Sequence, residues 1–325
     1  MALVQLKPGA LDAPATGAAE KVFNFATGRH YRATLSVSGN FNQGASGSGD
    51  ATALEDSPFT LLTNVEVKSR LGTFIRATGQ QLYHLSLWED RVAPTGSAPA
   101  PSGAGDSAFS FKLPIPFSPA TGVPNGLRVP DALIADLRDG TEPKIVIAAT
   151  TADLGLATGN TRTHTINGLA YDLMLEDEDE PVSPKYVRTL ESIVKPVSAS
   201  QSDFQIDLTS RKGRRQRAIH LLMHRASVRS NSLANGRIRL LRASGQAFFE
   251  TTLAELQEAN KRILGATMAA GTAVIDFDTM RLLARLPMTE TFSAYKLELS
   301  VSASGSGDSV SVLTDNVIDR DSFGV

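Results

Sequence analysis

The sequence predicts an all-β protein built of two tandem eight-stranded antiparallel β-sandwiches with a few short helices. Three observations predict it. Most apolar segments are short and alternate with period two. Helical periodicity is scarce. The chain, at 325 residues, is too long for one ordinary core and suits two domains of about 150 residues each.

The strands follow in order. YRATLSV at 31–37 alternates, and so does VEVKSRLGTFI at 65–75, with a turn at Leu71-Gly72. FSFKLPI at 109–115, KIVIAAT at 144–150 and AYDLML at 170–175 complete the first half. The second half carries FQIDLTS at 204–210, AIHLLMHRASV at 218–228, GRIRLLR at 236–242, TAVIDFD at 272–278, YKLELSVS at 295–302 and SVSVLTDNV at 309–317. Each is bounded by Gly, Ser, Asn or Pro, the residues that end strands.

Two segments read as helices. In TTLAELQEANKRILG at 251–265, Thr251 or Thr252 can cap, Leu253, Leu256 and Ile263 keep helical spacing, and Gly265 stops the run. PDALIADLRDG at 130–140 is shorter, with Pro130 suited to a first turn and Gly140 beyond the end. DTMRLLARLP at 278–287 fits helix or strand. Small-residue stretches at 39–50 and 93–108 read as long loops, functional or surface-covering. LEDEDEPVSPK at 175–185 reads as a solvated linker, giving domains 1–180 and 181–325. The alternative is a calcium site at Asp177 and Asp179, although consecutive acids rarely converge without a turn glycine.

Two echoes mark the chain. RATGQQLY at 76–83 returns as RASGQAFF at 242–249, an offset of 245 − 79 = 166 residues, about half the chain. We read each as a strand end, a glycine turn and the next strand, at matching places of a duplicated sandwich. LSVS with ASGSGD occurs at 35–38 and 45–50 and again at 299–302 and 303–308. Its different offset places it outside that duplication, as convergent chemistry of exposed loop tips.

Composition narrows the chemistry. Hydrophobic residues make up 42% and charged residues 20%, which suits a folded chain. A net charge of −2 gives no global pull toward nucleic acid or anionic membrane. Without cysteine there are no disulfides, thiolate metal sites or thiol nucleophiles. MALVQLKPGALDAP has one lysine and no long apolar run, so no signal peptide is expected, and synthesis and folding in the cytosol are.

No catalytic, cofactor or metal constellation emerges. His220 and His224 in HLLMH have Leu221 where a zinc-protease helix needs Glu, and the segment reads as a strand. His30, His84 and His164 show no partner spacing. Nucleophile elbows and phosphate loops are missing. A basic cluster, SRKGRRQR, lies at 210–217. Arg211, Lys212, Arg214, Arg215 and Arg217 are candidates for contact with phosphate, in packaged nucleic acid or lipid headgroups. The competing reading is a solvated hairpin tip around Gly213. No aromatic residue interleaves the cluster, so base stacking is not expected.

This pattern resembles the double-jelly-roll major capsid proteins of tailless icosahedral viruses, including bacteriophages with an internal membrane. The likeness covers the whole chain as architecture: two sandwiches, few helices at 251–265 and 130–138, long small-residue loops, and FKLPIPFSPATGVPNGLRVPDAL at 111–133. It implies a homotrimer of pseudo-hexagonal outline, with upright sandwiches and loops forming towers or contacts between trimers. It further implies neighbouring trimers, penton and minor capsid proteins as partners, membrane headgroups within reach, no sequence-specific nucleic acid, no cofactor, and a place in the virion. The Ala- and Arg-rich composition points to a bacterial host. Two other readings compete: a spike, adhesin or lectin-like binding module, and a glycan-acting hydrolase. Low aromatic content, 6% with the single Trp88, weighs against sugar stacking. A hydrolase needs a pair of carboxylates in a cleft.

Overall fold

A computed structural model describes residues 5–7, 20–24, 29–118, 135–136, 142–150, 156–157, 162–177, 186–209, 213–277 and 295–319. They belong to two compact units, Met1–Lys185 and Tyr186–Val325.

In the first unit, eight strands of three residues or more are described: β1 (Gln5–Lys7), β2 (Glu20–Asn24), β3 (Arg29–Gln43), β4 (Leu62–Ser69), β5 (Gly72–Ala77), β6 (Gly105–Pro116), β7 (Lys144–Ala149) and β8 (His164–Asp177). Helix α1 (Gly79–Asp90) follows β5. The strands form two antiparallel sheets, ordered β1-β8-β3-β6 and β2-β7-β4-β5. Alternation sets the register. Leu35 lies opposite both Leu113 and Leu173. Their row is buried, as are Val65, Val67, Ile75, Ile145 and Ile147 of the other sheet. A one-residue slip would turn each of these rows outward.

The second unit repeats the plan. Its described strands of three residues or more are β9 (Tyr186–Pro196), β10 (Gln201–Leu208), β11 (Arg214–Arg225), β12 (Ala234–Arg242), β13 (Ala247–Thr252), β14 (Thr272–Asp276), β15 (Tyr295–Val301) and β16 (Ser309–Asp319). Helix α2 (Leu253–Leu264) follows β13. The sheets run β9-β16-β11-β14 and β10-β15-β12-β13. Counted within each unit, both orders read 1-8-3-6 and 2-7-4-5, and the helix stands between the fifth and sixth strands. Two sheets wound in this way, with each long connection crossing from one sheet to the other, make a jelly roll. The core of the second unit holds Phe204, Ile206, Ile219, Leu221, Met223, Ile238, Leu240, Leu297, Leu299, Val310 and Val312.

The duplication is therefore real, but RATGQ and RASGQ do not mark it. Arg76 and Ala77 end β5, Thr78 caps α1, and Gly79 opens the helix. Arg242 ends β12, and residues 243–246 form the turn into β13, with Gly245 at φ 76°. The two motifs sit one strand out of step. The true counterparts are the helix starts. Thr78 Oγ1 accepts from Gln81 N at 3.2 Å while Gln81 Oε1 accepts from Thr78 N at 3.0 Å. Thr252 Oγ1 accepts from Glu255 N at 3.3 Å while Glu255 Oε2 accepts from Thr252 N at 2.9 Å. These are two capping boxes, offset by 252 − 78 = 174 residues. Replacing either Thr by Ala is expected to cost about 1 kcal/mol, read as a lower denaturant midpoint.

Several expectations shift. Ala135–Asp136 pairs with Arg29 and His30 as strand, so those two positions are not helical; the rest of 130–140, and 278–287, lie outside the described residues. Strand β3 runs on into the expected 39–50 loop as far as Gln43, because each of its residues from Arg32 onward finds a partner in β6. Strand β6 likewise starts inside the expected 93–108 loop. Asp177 ends β8, and Asp179 lies outside the described residues.

Candidate interaction surfaces

The basic segment 210–217 enters the second unit at the start of β11. Arg211 and Lys212 lie outside the described residues. Arg214 turns inward between the sheets. Its side chain is 2% exposed, its guanidinium grips both carboxylate oxygens of Glu191, and it reaches Thr209 O at 3.3 Å. Arg215 is half-buried, level with Val317. A bulge between Gln216 and Ala218 inserts Arg217 beside Asp315. Arg217 Nη1 donates to Asp315 Oδ2 at 2.8 Å. Arg188, from β9, donates to Oδ1 and Oδ2 of the same carboxylate at 3.0 and 2.8 Å. Burial alone would raise the Asp315 pKa; the Arg188 and Arg217 charges and the Arg188 hydrogen bond outweigh it and hold the carboxyl below its usual range. Arg214 and Arg217 thus spend their charge inside the unit, on carboxylates 23 and 98 residues away in sequence.

His220 and His224 share one face of β11 and are buried. Among the described residues, no group of three or more His, Asp and Glu is placed to hold a metal. No helix of the described residues is long and apolar enough to cross a membrane. In the first unit, the buried His84 on α1 meets Asp56 at 3.1 Å, and Gln80 donates to the same carboxylate. This pair ties α1 to the turn that precedes β4. That turn also presses on Gly79, where a Cβ would come within 2.2 Å of Phe59 O.

The loops at the helix end of each unit are held by the two ASGSGD copies. Asp50 Oδ1 accepts from Gln43 Nε2 at 3.0 Å and from Gly103 N at 2.8 Å, joining two loops. Arg162 fastens the same glycine stretch through the carbonyls of Gly49, Gly44 and Ala45. Asp308 Oδ1 accepts from Ala226 N at 2.7 Å, and Asp308 Oδ2 from Ser304 N at 2.5 Å. These backbone donors, Ser304 first, hold the Asp308 carboxyl below its usual range. Asp50 follows the third strand of its unit, and Asp308 the seventh of its own. The echo is thus convergent, and its aspartate is the working residue. Alternation made the strands visible in sequence, but nothing there showed these cross-loop bonds.

No protein-family model matches the sequence, and no curated protein matches it. Solved structures do. The major capsid protein of Sulfolobus turreted icosahedral virus superposes with a TM-score of 0.71 at 14% identity, over 98% of this chain and 96% of that one. The major capsid protein of bacteriophage PM2 gives 0.63 at 10% identity, over 98% and 99%. The capsid of the virus PBCV-1 gives 0.58 at 9%, over 98% and 94%. With sheet orders repeated strand for strand in its two units, and with full-length likeness to these shells, the chain is a double jelly roll.

Proposed function

We propose that the chain is the major structural subunit of an icosahedral virion shell. One observation carries this reading: the likeness to viral major capsid proteins runs through both units and nearly end to end in both partners, as it does for the turreted icosahedral virus and PM2 proteins. Two like units per chain suit a trimer that fills six near-equivalent positions. In this reading the units divide near residue 180, trimers neighbour other trimers, penton and minor capsid proteins close the lattice, and the protein performs no catalysis. The basic residues Arg211 and Lys212 then serve as the contact with phosphate groups of an enclosed membrane. Gly-, Ser- and Ala-rich loops clamped by Asp50 and Asp308 adapt to unequal neighbours at little side-chain entropy cost.

Expression of the full chain, followed by sedimentation and electron microscopy, tests the proposal. Stable trimers that form hexagonal capsomers on particles are expected. A monomer that never assembles and instead binds glycans would overturn it in favour of a binding module.

A further inference from the structure

Strand β14 ends the sheet order of its unit, so one side of its backbone faces away from the sheet. Such an edge is a template for another chain. Here helix α2 fills it. Asn260, 1% exposed, donates from Nδ2 to Val274 O at 2.7 Å and accepts at Oδ1 from Val274 N at 2.8 Å. Its amide therefore does what a residue of a neighbouring strand would do. Gln257 Nε2 donates to Thr272 O at 2.8 Å, and Thr272 N donates to Ala269 O at 3.2 Å. Thr272 and Val274 share one side of the strand, and these four groups face outward, while Ala273 and Ile275 alternate with them along the ladder to β11. Asn231 Oδ1 accepts from both Gln257 Nε2 and Gly271 N, at 2.9 and 2.7 Å, which fixes the approach of the helix.

The first unit meets the same problem differently. Its sixth strand, β6, is covered by main chain: Gly96–Ser97 pairs with Phe111 and Ser110, and Lys112 N donates to Thr95 O at 2.8 Å. The segment after the helix seals the sixth strand there, and helix side chains seal it here. A general packing need would not demand a two-bond amide at Asn260; leucine fills that volume and costs nothing to bury.

We propose that Asn260, supported by Gln257, is an edge guard that blocks strand addition to β14 by a second copy of this chain. The guard keeps free subunits from joining sheet to sheet, and it stands whether or not the chain builds a capsid. Asn260→Leu in the full-length chain tests it, by circular dichroism, hydrogen exchange, sedimentation velocity and thioflavin fluorescence. The variant is expected to keep its strand signal while exchange at the Val274 amide speeds up by about tenfold, the effect of one lost hydrogen bond. Aggregates that bind thioflavin should rise several-fold with concentration. Adding Val274→Pro, which removes the outward N–H without touching the ladder to β11, should abolish them. A folded Asn260→Leu chain with a fast-exchanging Val274 amide that sediments as wild type overturns the proposal, as does aggregation that Val274→Pro leaves unchanged. Should Asn260→Leu unfold, Gln257→Met removes the bonds to Thr272 O and Asn231 Oδ1 and leaves Asn260 in place, and the same readouts decide.

Discussion

Replacing Asp315 by Ala is expected to destabilise the second unit by about 3–5 kcal/mol, the loss seen when one partner of a buried ion pair is removed. The Asp315 side chain is 2% exposed, and those of Arg188 and Arg217 are 0% and 10% exposed. Without the carboxylate, two guanidiniums face each other with little water to separate them. The attraction lost matters less than the repulsion between two buried like charges. Asp315→Asn should also be costly, since its amide cannot accept from two guanidiniums on both sides. The exposed pair Arg237–Glu250, at 3.5 Å and with side chains 66% and 47% exposed, is the control, and its removal should cost at most about 1 kcal/mol. Urea titration with an unchanged slope reads both. The pH dependence has a definite sign. The folded pKa of Asp315 lies below its unfolded value, so its contribution is complete above about pH 4 and is lost as pH falls through the folded pKa. The stability difference between wild type and Asp315→Asn should therefore be constant near neutrality and shrink only in acid. A loss under about 1 kcal/mol for Asp315→Ala would show that the cluster does not hold these three strands together.

Much of the fold was legible because period-two alternation is imposed by burial of one sheet face. Leu35, Val37 and Phe41 in β3, and Val310 and Val312 in β16, show it plainly. Where charges turn inward the pattern fails. Strand β9 was missed because Arg188, Thr189 and Glu191 interrupt its apolar positions, and their partners, Asp315 and Arg214, come from far along the chain. Helix α1 was missed for a different reason. Its apolar residues Leu82, Tyr83, Leu85, Leu87 and Trp88 go most of the way round the helix, so no stripe appears. The T-x-x-Q of Thr78 and Gln81 was the available signal. The matching T-x-x-E stands at Thr252 and Glu255, and its recurrence after the fifth strand of each unit aligns the two halves correctly.

The basic segment, read in sequence as one patch, should separate into two classes of residue. Arg214→Glu would set two carboxylates against each other inside the sandwich, opposite Glu191, and Arg217→Glu would do so beside Asp315. Each replaces an attraction by a repulsion at a buried position, so each is expected to cost several kcal/mol and to yield little folded chain. Arg211→Glu with Lys212→Glu should behave otherwise. No partner for either was evident in the sequence, and in the proposed role they meet lipid phosphate. Each basic residue near an anionic surface contributes about 1 kcal/mol, so the double reversal should weaken co-sedimentation with phosphatidylserine vesicles by more than about tenfold. The wild-type affinity should itself fall as salt is raised, because the interaction is screened. Thermal melts of the double variant should match the wild type. Full vesicle binding by this folded variant would remove the membrane contact from the proposed function and leave the shell architecture untouched. Arg214 and Arg217, which the sequence groups by proximity with Arg211, Lys212 and Arg215, are set apart by the carboxylates their charge meets, which proximity alone does not reveal.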